Sequence, residues 1–557
     1  MRRNVTFRRI VGRIAKPLVA CAIAAATAAP LAAQGYRARM SRDIADRIAH
    51  RVDASSEVIV AAAQATLDVL ATRYGVRLKK RIEGGAVFEA TGGQVDALTQ
   101  DPAVAHVAGN STVFRMMAVT TQATGADQVW SGLDHLPGVT GRNVGVAVID
   151  SGVFPHPALR DRIAVSVDFT DSPANVKGRD AYGHGTHVAG IIAESGADGY
   201  SGMAPGAWIV NLKALGDDGS GKTGDVITAI DWAIQNRRQY NIRIINLSLG
   251  HPIFESYLDD PLCQAAQRAV DAGILVVAAA GNFGKTTDGR PVVAGIIAPG
   301  NTPSVLTVGA INTRGTVARS DDVMTTYSSR GPTAVDGVLK PDLVAPGNRI
   351  VAASAANSLL STTYPDRVVV NGPGKGDYIE LSGTSMSTAV VSGAAALVLE
   401  ARPQLTPAQV KAALQLTSSR VPGAGLIEAG AGSLNVAATL DLAIGQINKP
   451  VSIGGEPASA AHILFAPVGT DLPSLLPTAA FNAANTIVVG NTIVWSDTIV
   501  WSDTIVWSDT IVWSDTIVWS DALIAGPTIA SCDTIVWSDT IVWSDTIVWS
   551  DTIVWSD

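Results

Sequence analysis

A carboxylate, an imidazole and a hydroxyl occur in chain order at Asp150, His184 and Ser385, each in a distinctive neighbourhood. Asp150 closes the apolar run Val144-Gly145-Val146-Ala147-Val148-Ile149 and precedes Ser151-Gly152. His184 lies in Gly183-His184-Gly185-Thr186-His187-Val188-Ala189-Gly190, and Ser385 in Ser382-Gly383-Thr384-Ser385-Met386-Ser387. A serine hydroxyl is a weak nucleophile near neutral pH. It needs a base within hydrogen-bond reach, and the base needs a partner that fixes its tautomer. Taken singly, each residue has an ordinary explanation: a strand-end Asp, a helix-start His, a Ser in a turn. Together they are the residue types that acyl transfer requires.

These three motifs, in this order, resemble those of the subtilisin-like serine proteases, and the resemblance covers roughly residues 118–443. It implies that Ser385 attacks the scissile carbonyl, His184 accepts and returns the proton, and Asp150 orients the imidazole. It also implies that Asn282, which follows Gly281 after the run Ile274–Ala280, donates a side-chain hydrogen bond to the oxyanion. A Gly-Asn pair is otherwise a common turn. The second donor implied is the backbone N–H of Ser385, at the start of an apolar helix expected over Ser385–Ala401. The end of the run Ile244–Gly250 resembles the family's substrate-binding edge, where an extended peptide adds as a further strand. Ser248, Leu249 and Gly250 are therefore candidates for substrate binding. Ala279, Ala280 and Gly281 would line the other wall of the primary specificity pocket; such small residues fit a roomy slot for large apolar side chains, or plain core packing.

The small residues near the motifs carry expectations of their own. Gly383 should permit a tight turn before Ser385, and Gly185 and Gly190 close packing around the His184 helix. His187 stands one turn after His184, but no third ligand accompanies the pair and no metal is expected there. The family usually has Pro four residues after the nucleophile, where this chain has Ala389; proline at that point would help to start the helix. The resemblance implies no cofactor for catalysis. It admits calcium as a structural ion, although no complete oxygen cage is legible.

The elements that must position these residues follow from the hydrophobic pattern. Apolar strand-like runs at 144–149, 208–214, 243–249, 274–280 and 304–310 alternate with helix-like segments such as Asp225–Arg238 and Pro261–Ala272. That alternation predicts an α/β fold: a subtilisin-like parallel sheet with helices on both faces. Asp150, Asn282 and Ser248–Gly250 all fall at carboxyl ends of strands, where open α/β sheets place their sites.

Residues 1–33 read as a secretory signal peptide: Arg2, Arg3, Arg8, Arg9, Arg13 and Lys16 precede the apolar stretch Pro17–Ala33. A bacterial protein that is secreted or held at the cell surface is expected. Residues 35–116 read as an α+β segment in the ferredoxin-like order β-α-β-β-α-β. The strands expected are Val58–Ala62, Val76–Ile82, Ala86–Ala90 and Val104–Val107, with helices at Ala65–Tyr74 and Gln94–Gln100. Gly84–Ala90 resembles the central hairpin of the family's inhibitory propeptides, which implies a segment that blocks the cleft and is removed autocatalytically near Val113–Ala118. The catalytic domain is expected over 118–445 and a Pro/Ala-rich linker over 446–485.

From Thr486 to Asp557 the chain keeps an unbroken six-residue frame dominated by Thr-Ile-Val-Trp-Ser-Asp. A short fixed period suggests a β-solenoid, with three hexads in each coil, and stacked Asp residues that could recruit a divalent cation. A disordered or loosely ordered repeat is the alternative, and the tail's partner is unknown. The tail carries ten Asp and no Lys or Arg, so the formal charge of −8 leaves +2 for residues 1–485. No basic patch points to nucleic acid; the expected partners are protein or peptide substrates and the chain's own propeptide. Only Cys21, Cys263 and Cys532 occur, which is no disulfide framework. Two functions follow: a secreted serine endopeptidase, or a catalytically inactive, subtilase-like surface or adhesive repeat protein. The intact Asp150, His184, Asn282 and Ser385 favour the first.

Overall fold

The computed structural model describes residues 36–466 except 50–52, 83, 110–115, 133–136, 171–178, 197–198, 372–375 and 447–449. Beyond 466 it describes only Leu475 and six strand segments between 487 and 537. The expected signal peptide and most of the expected linker lie outside the described residues. The chain divides into two units, Met1–Val113 and Phe114–Asp557.

In the first unit the strands Ser56–Ala62, Arg77–Ile82, Gly85–Ala90 and Val104–Gly109 and the helices Leu67–Tyr74 and Gly92–Thr99 follow one another in β-α-β-β-α-β order. Val58 and Val60 point inward with Leu67, Leu70, Phe88, Val95 and Leu98 to form the core, as the period of two along a strand requires. A short strand, Arg39–Met40, and the helix Arg42–Ala49 precede these elements. The sequence reading had assigned neither.

In the second unit eight strands form one sheet among the described residues. Gly145–Asp150 sits centrally and pairs in parallel with Trp208–Lys213 on one side and Ile242–Leu247 on the other. Ile163–Asp168 extends the sheet beyond Trp208–Lys213. Leu275–Ala279, Leu306–Asn312 and Leu343–Pro346 extend it in parallel on the far side, where Val323–Met324 adds one antiparallel edge. The later strands thus build outward from the opposite side of Gly145–Asp150, which puts a topological switch at the carboxyl end carrying Asp150.

Both faces of the sheet are covered, and alternate residues of a single strand serve different cores. Val146 and Val148 join the helices His184–Ala193 and Thr384–Ala401 in one cluster. Ala147 and Ile149 join the helices Thr223–Asn236 and Pro261–Asp271 in the other. The five expected strands are present with ends shifted by a few residues. Ile163–Asp168 was missed although Ile163, Val165 and Val167 alternate with Ala164, Ser166 and Asp168 as along a half-buried strand, and Val323–Met324 because two residues carry no readable period.

One buried charge cluster fastens the far side of the sheet. Asp342, 1% exposed, pairs with Lys340 at 2.6 Å and Lys411 at 2.9 Å. It also accepts from the Thr307 amide at 2.7 Å. Burial pulls the Lys340 ammonium down to about 7 even though Asp342 pulls it back up. The strand that follows Asp342 leads to Gly347, whose carbonyl accepts from the Gly383 amide at 2.9 Å, next to the Ser385 helix. Removing Asp342 would leave the buried Lys340 and Lys411 side chains without their shared partner. Asp342→Ala is therefore expected to cost about 3–5 kcal/mol, read as a lowered midpoint in urea unfolding; a midpoint equal to wild type would contradict this account.

The described tail segments pair in parallel and in register. Thr492–Trp495 and Thr516–Trp519 both pair with Thr534–Trp537, Thr to Thr and Trp to Trp along the backbone. Thr504–Ile505 pairs with Thr516–Ile517. These partners lie whole numbers of hexads apart, but the separation varies from pair to pair, unlike the constant three hexads expected of regular coils.

Candidate active site

Asp150 ends the central strand and is 1% exposed. His184 opens the helix His184–Ala193, and its Nδ1 lies 2.8 and 2.9 Å from the two Asp150 oxygens. With Nδ1–H donating to the carboxylate, Nε2 is left as the basic nitrogen. Burial lowers the His184 pKa, but attraction to Asp150 and its hydrogen bond outweigh that, with a smaller contribution from Asp180, so the net shift is upward.

The approach of helix to strand end depends on Gly185. A Cβ there would collide with the Gly152 carbonyl and stand 3.1 Å from Asp150 Cβ. Gly190 is similarly closed in by Glu194 and Ala353. Both glycines meet the close-packing expectation.

Behind the pair lies a buried polar network that the sequence reading missed. Asp180, 2% exposed, accepts from Ser151 Oγ at 2.9 Å, the Gly183 amide at 2.7 Å, and the Thr186 amide and hydroxyl at 2.8 and 2.5 Å. Burial pushes its carboxyl above the ordinary value, and those hydrogen bonds pull the other way. Ser151 Oγ also accepts from the Gly185 amide at 3.0 Å. The fully buried Lys213 donates at 3.0 Å to the Ser151 carbonyl, the Arg179 carbonyl and Asp217. Asp180 could have been found as an acidic residue just before a helix start, a capping signal. Lys213 could have been found as a lone cation in an apolar strand.

Ser385 is the second residue of the helix Thr384–Ala401. Its hydroxyl donates to the Ser248 carbonyl at 3.2 Å, and Ser248 Oγ donates to the Ser385 carbonyl at 2.9 Å. The two segments are thus tied to each other through the Ser385 and Ser248 hydroxyls. The side-chain carbonyl of Asn282 accepts from the Thr384 amide at 3.0 Å and hydroxyl at 3.1 Å. That assignment leaves the Asn282 NH₂ as the outward donor.

Gly383 stands at the expected bend before the Ser385 helix, but with φ 163°, ordinary extended backbone rather than a left-handed conformation. A Cβ there would sit 3.5 Å from Asn282 Nδ2, in the space beside the amide donor. Ala389 is the sixth residue of its helix, not in the first turn, so proline at that position would not help to start the helix. The slot between Ser248–Gly250 and Ala279–Gly281 is not roomy: Ile297 stands in it, with Ala279 and Ala280 buried at 3% and 0%. His187, as expected, is no ligand. It lies 3.0 Å from both the Ile350 and Ile379 carbonyls, and burial lowers it to about 3, so it stays neutral. Cys263 is a buried free thiol, and Cys532 lies outside the described residues. A cleft of about 420 Å³ beside His184 is lined by Tyr182, Leu215, Ser248, Leu249, Gly250 and Leu262 among others.

Residues 141–438 match the model of the subtilase family, and the chain belongs to that family. It is 38% identical over 314 residues to serine protease AprX of Bacillus subtilis (strain 168), spanning 55% of this chain and 67% of that protein. Subtilisin E of the same organism is 36% identical over 327 residues, 58% of this chain and 73% of its own length. The subtilisin of Bacillus pumilus is 37% identical over 310 residues, 54% of this chain and 95% of its own. The chain is a serine-type endopeptidase.

Gly185→Ala would push the imidazole off Asp150 without removing any functional atom. Displacement by about 1 Å can cost about a hundredfold in rate, so kcat on a small peptide is expected to fall by that order with KM little changed. A purified variant with wild-type kcat would show that the close approach does not matter.

Proposed function

We propose that this protein is an exported endopeptidase that cleaves peptide bonds through an acyl-enzyme formed on Ser385. His184 takes the serine proton and returns it to the leaving amine, and Asp150 holds the imidazole in the required tautomer. Asn282 Nδ2 and the Ser385 backbone N–H stabilise the oxyanion. The observation that carries this reading is the Asp150–His184 contact at 2.8 Å, supported by the bond from the Thr384 amide, next to Ser385, to Asn282. Ser248, Leu249 and Gly250 pair with the substrate backbone as an added strand. Ala279, Ala280 and Gly281 form the opposite wall. No cofactor takes part in this chemistry, and calcium would serve structure only.

The reading extends to the rest of the chain. The basic and then apolar start supports export. The β-α-β-β-α-β segment before the catalytic domain supports an inhibitory propeptide that the enzyme removes from itself. The in-register pairing of tail hexads supports a β-rich appendage separate from the chemistry.

Ser385→Ala is expected to abolish peptide hydrolysis, to escape labelling by a fluorophosphonate, and to retain residues 35–116 that the wild type sheds. Asn282→Ala should lower kcat by about a hundred- to a thousandfold with KM little changed. Near-wild-type turnover in either variant would overturn the assignment, and normal processing of Ser385→Ala would hand the cutting to another protease.

The base must be neutral to accept a proton. Because His184 is raised above its ordinary value of 6.5, kcat/KM should be high at alkaline pH and fall as pH drops through an inflection above 6.5. An acid limb below about pH 6 would mean that His184 is not the group being titrated.

A further inference from the structure

The primary pocket of a peptidase is set by what stands between its walls. Here one wall ends at Gly250 and the other at Gly281, and neither glycine contributes a side chain. The space between them is nevertheless filled. A Cβ built on Gly250 would meet Ile297 Cδ1 at 2.7 Å and Cγ1 at 3.0 Å, and one built on Gly281 would meet Ile297 Cγ2 at 3.0 Å. One isoleucine therefore lies against both walls, although the Ala298 carbonyl at Gly250, and Ser329 Oγ and a φ of 106° at Gly281, also require glycine there.

Ile297 is held there by its backbone as well. Its N–H donates to the Ala280 carbonyl at 3.1 Å, and the short strand Ile297–Ala298 pairs antiparallel with His251–Pro252, directly after Gly250. The residue is thus stitched to both walls and is only 8% exposed. A β-branched side chain has few χ1 choices, so it cannot swing aside as a methionine could.

We propose that Ile297 is the specificity-determining residue of this enzyme. It closes the floor of the primary pocket, so that the residue whose carbonyl is attacked must carry a small side chain, such as alanine, glycine or serine. Phenylalanine, tyrosine and leucine are rejected because Ile297 occupies the volume they need. This inference rests on the proposed reading of Ser385, Asn282 and the two walls. A peptide paired with Ser248–Gly250 and attacked at Ser385 sends the side chain of that residue between the walls, since neighbouring side chains of an extended strand point to opposite faces.

The test uses the enzyme purified after expression of the full chain and three peptide p-nitroanilides that differ only in the residue before the scissile bond: Ala, Leu or Phe. A single methylene in an apolar pocket discriminates by about 10- to 200-fold. Wild type is therefore expected to favour Ala over Phe by at least about tenfold in kcat/KM. Ile297→Gly should raise kcat/KM for Phe at least about tenfold, with Ala little changed. Ile297→Ala should fall between, and it serves if the glycine variant does not fold. A wild type that cuts Phe or Leu as well as Ala overturns the proposal while leaving the peptidase reading intact. So does an unchanged order of preference in a folded Ile297 variant. Failure to cut any of the three substrates would remove the peptidase reading, and this inference with it.

Discussion

The site depends on how closely the start of the His184 helix can abut the strand end that carries Asp150. Strand ends and helix starts both leave backbone groups without partners inside their own element. Bringing them together buries those groups, so each must be satisfied by something else. Gly185 provides the approach by having no Cβ to strike the Gly152 carbonyl. Ser151 Oγ meets the Gly185 amide, and Asp180 meets the amides of Gly183 and Thr186. Only with that accounting closed does an imidazole stand 2.8 Å from a buried carboxylate.

The same network satisfies the oxygens of the buried Asp150 side chain, as a buried polar group requires. Asp150 has the His184 Nδ1–H, the Ser151 amide at 2.7 Å and the Ser151 hydroxyl at 3.2 Å. Lys213 holds the Ser151 and Arg179 carbonyls, and so fixes the two segments that bring Ser151 and Asp180 together. Lys340 and Asp342, just before the strand that runs towards Gly347 and Gly383, form a comparable buried cluster with Lys411 of the helix Pro407–Thr417. In both places the polar interior is satisfied by bonds that join segments distant in sequence, so stability and site geometry share their determinants.

Much of this was legible beforehand because it is local or periodic. The apolar runs marked the central strands, since a strand covered on both faces needs apolar residues at every position. The α+β segment was readable element by element for the same reason, with Thr91 and Gln94 forming the capping box that starts its second helix. The short antiparallel edge was not readable, because two residues carry no period, whereas Ile163–Asp168 and the leading helix Arg42–Ala49 were overlooked although Ile163, Val165 and Val167 alternate along the one and Ile44 and Ile48 stand one turn apart on the other. Asp180 was overlooked because its importance lies in joining Gly183 and Thr186, near it in sequence, to Ser151, which only the fold brings to it.

By itself the sequence determined the order of the elements, the family, and the residue types available for chemistry, because these follow from hydrophobic period and short motifs. It could also say that Gly250, Ala279, Ala280 and Gly281 are small. It could not say what stands between them. Ile297 reads as one more apolar residue in a short run, and only the fold brings it against two glycines from other segments. Likewise, Gly383 reads as a turn, and only the structure shows that it stands beside the Asn282 amide and Met386. Period and motif are properties of neighbours along the chain. The size of a pocket, the partner of a buried charge and the reach of a hydroxyl are set by residues distant in sequence, and only packing decides them.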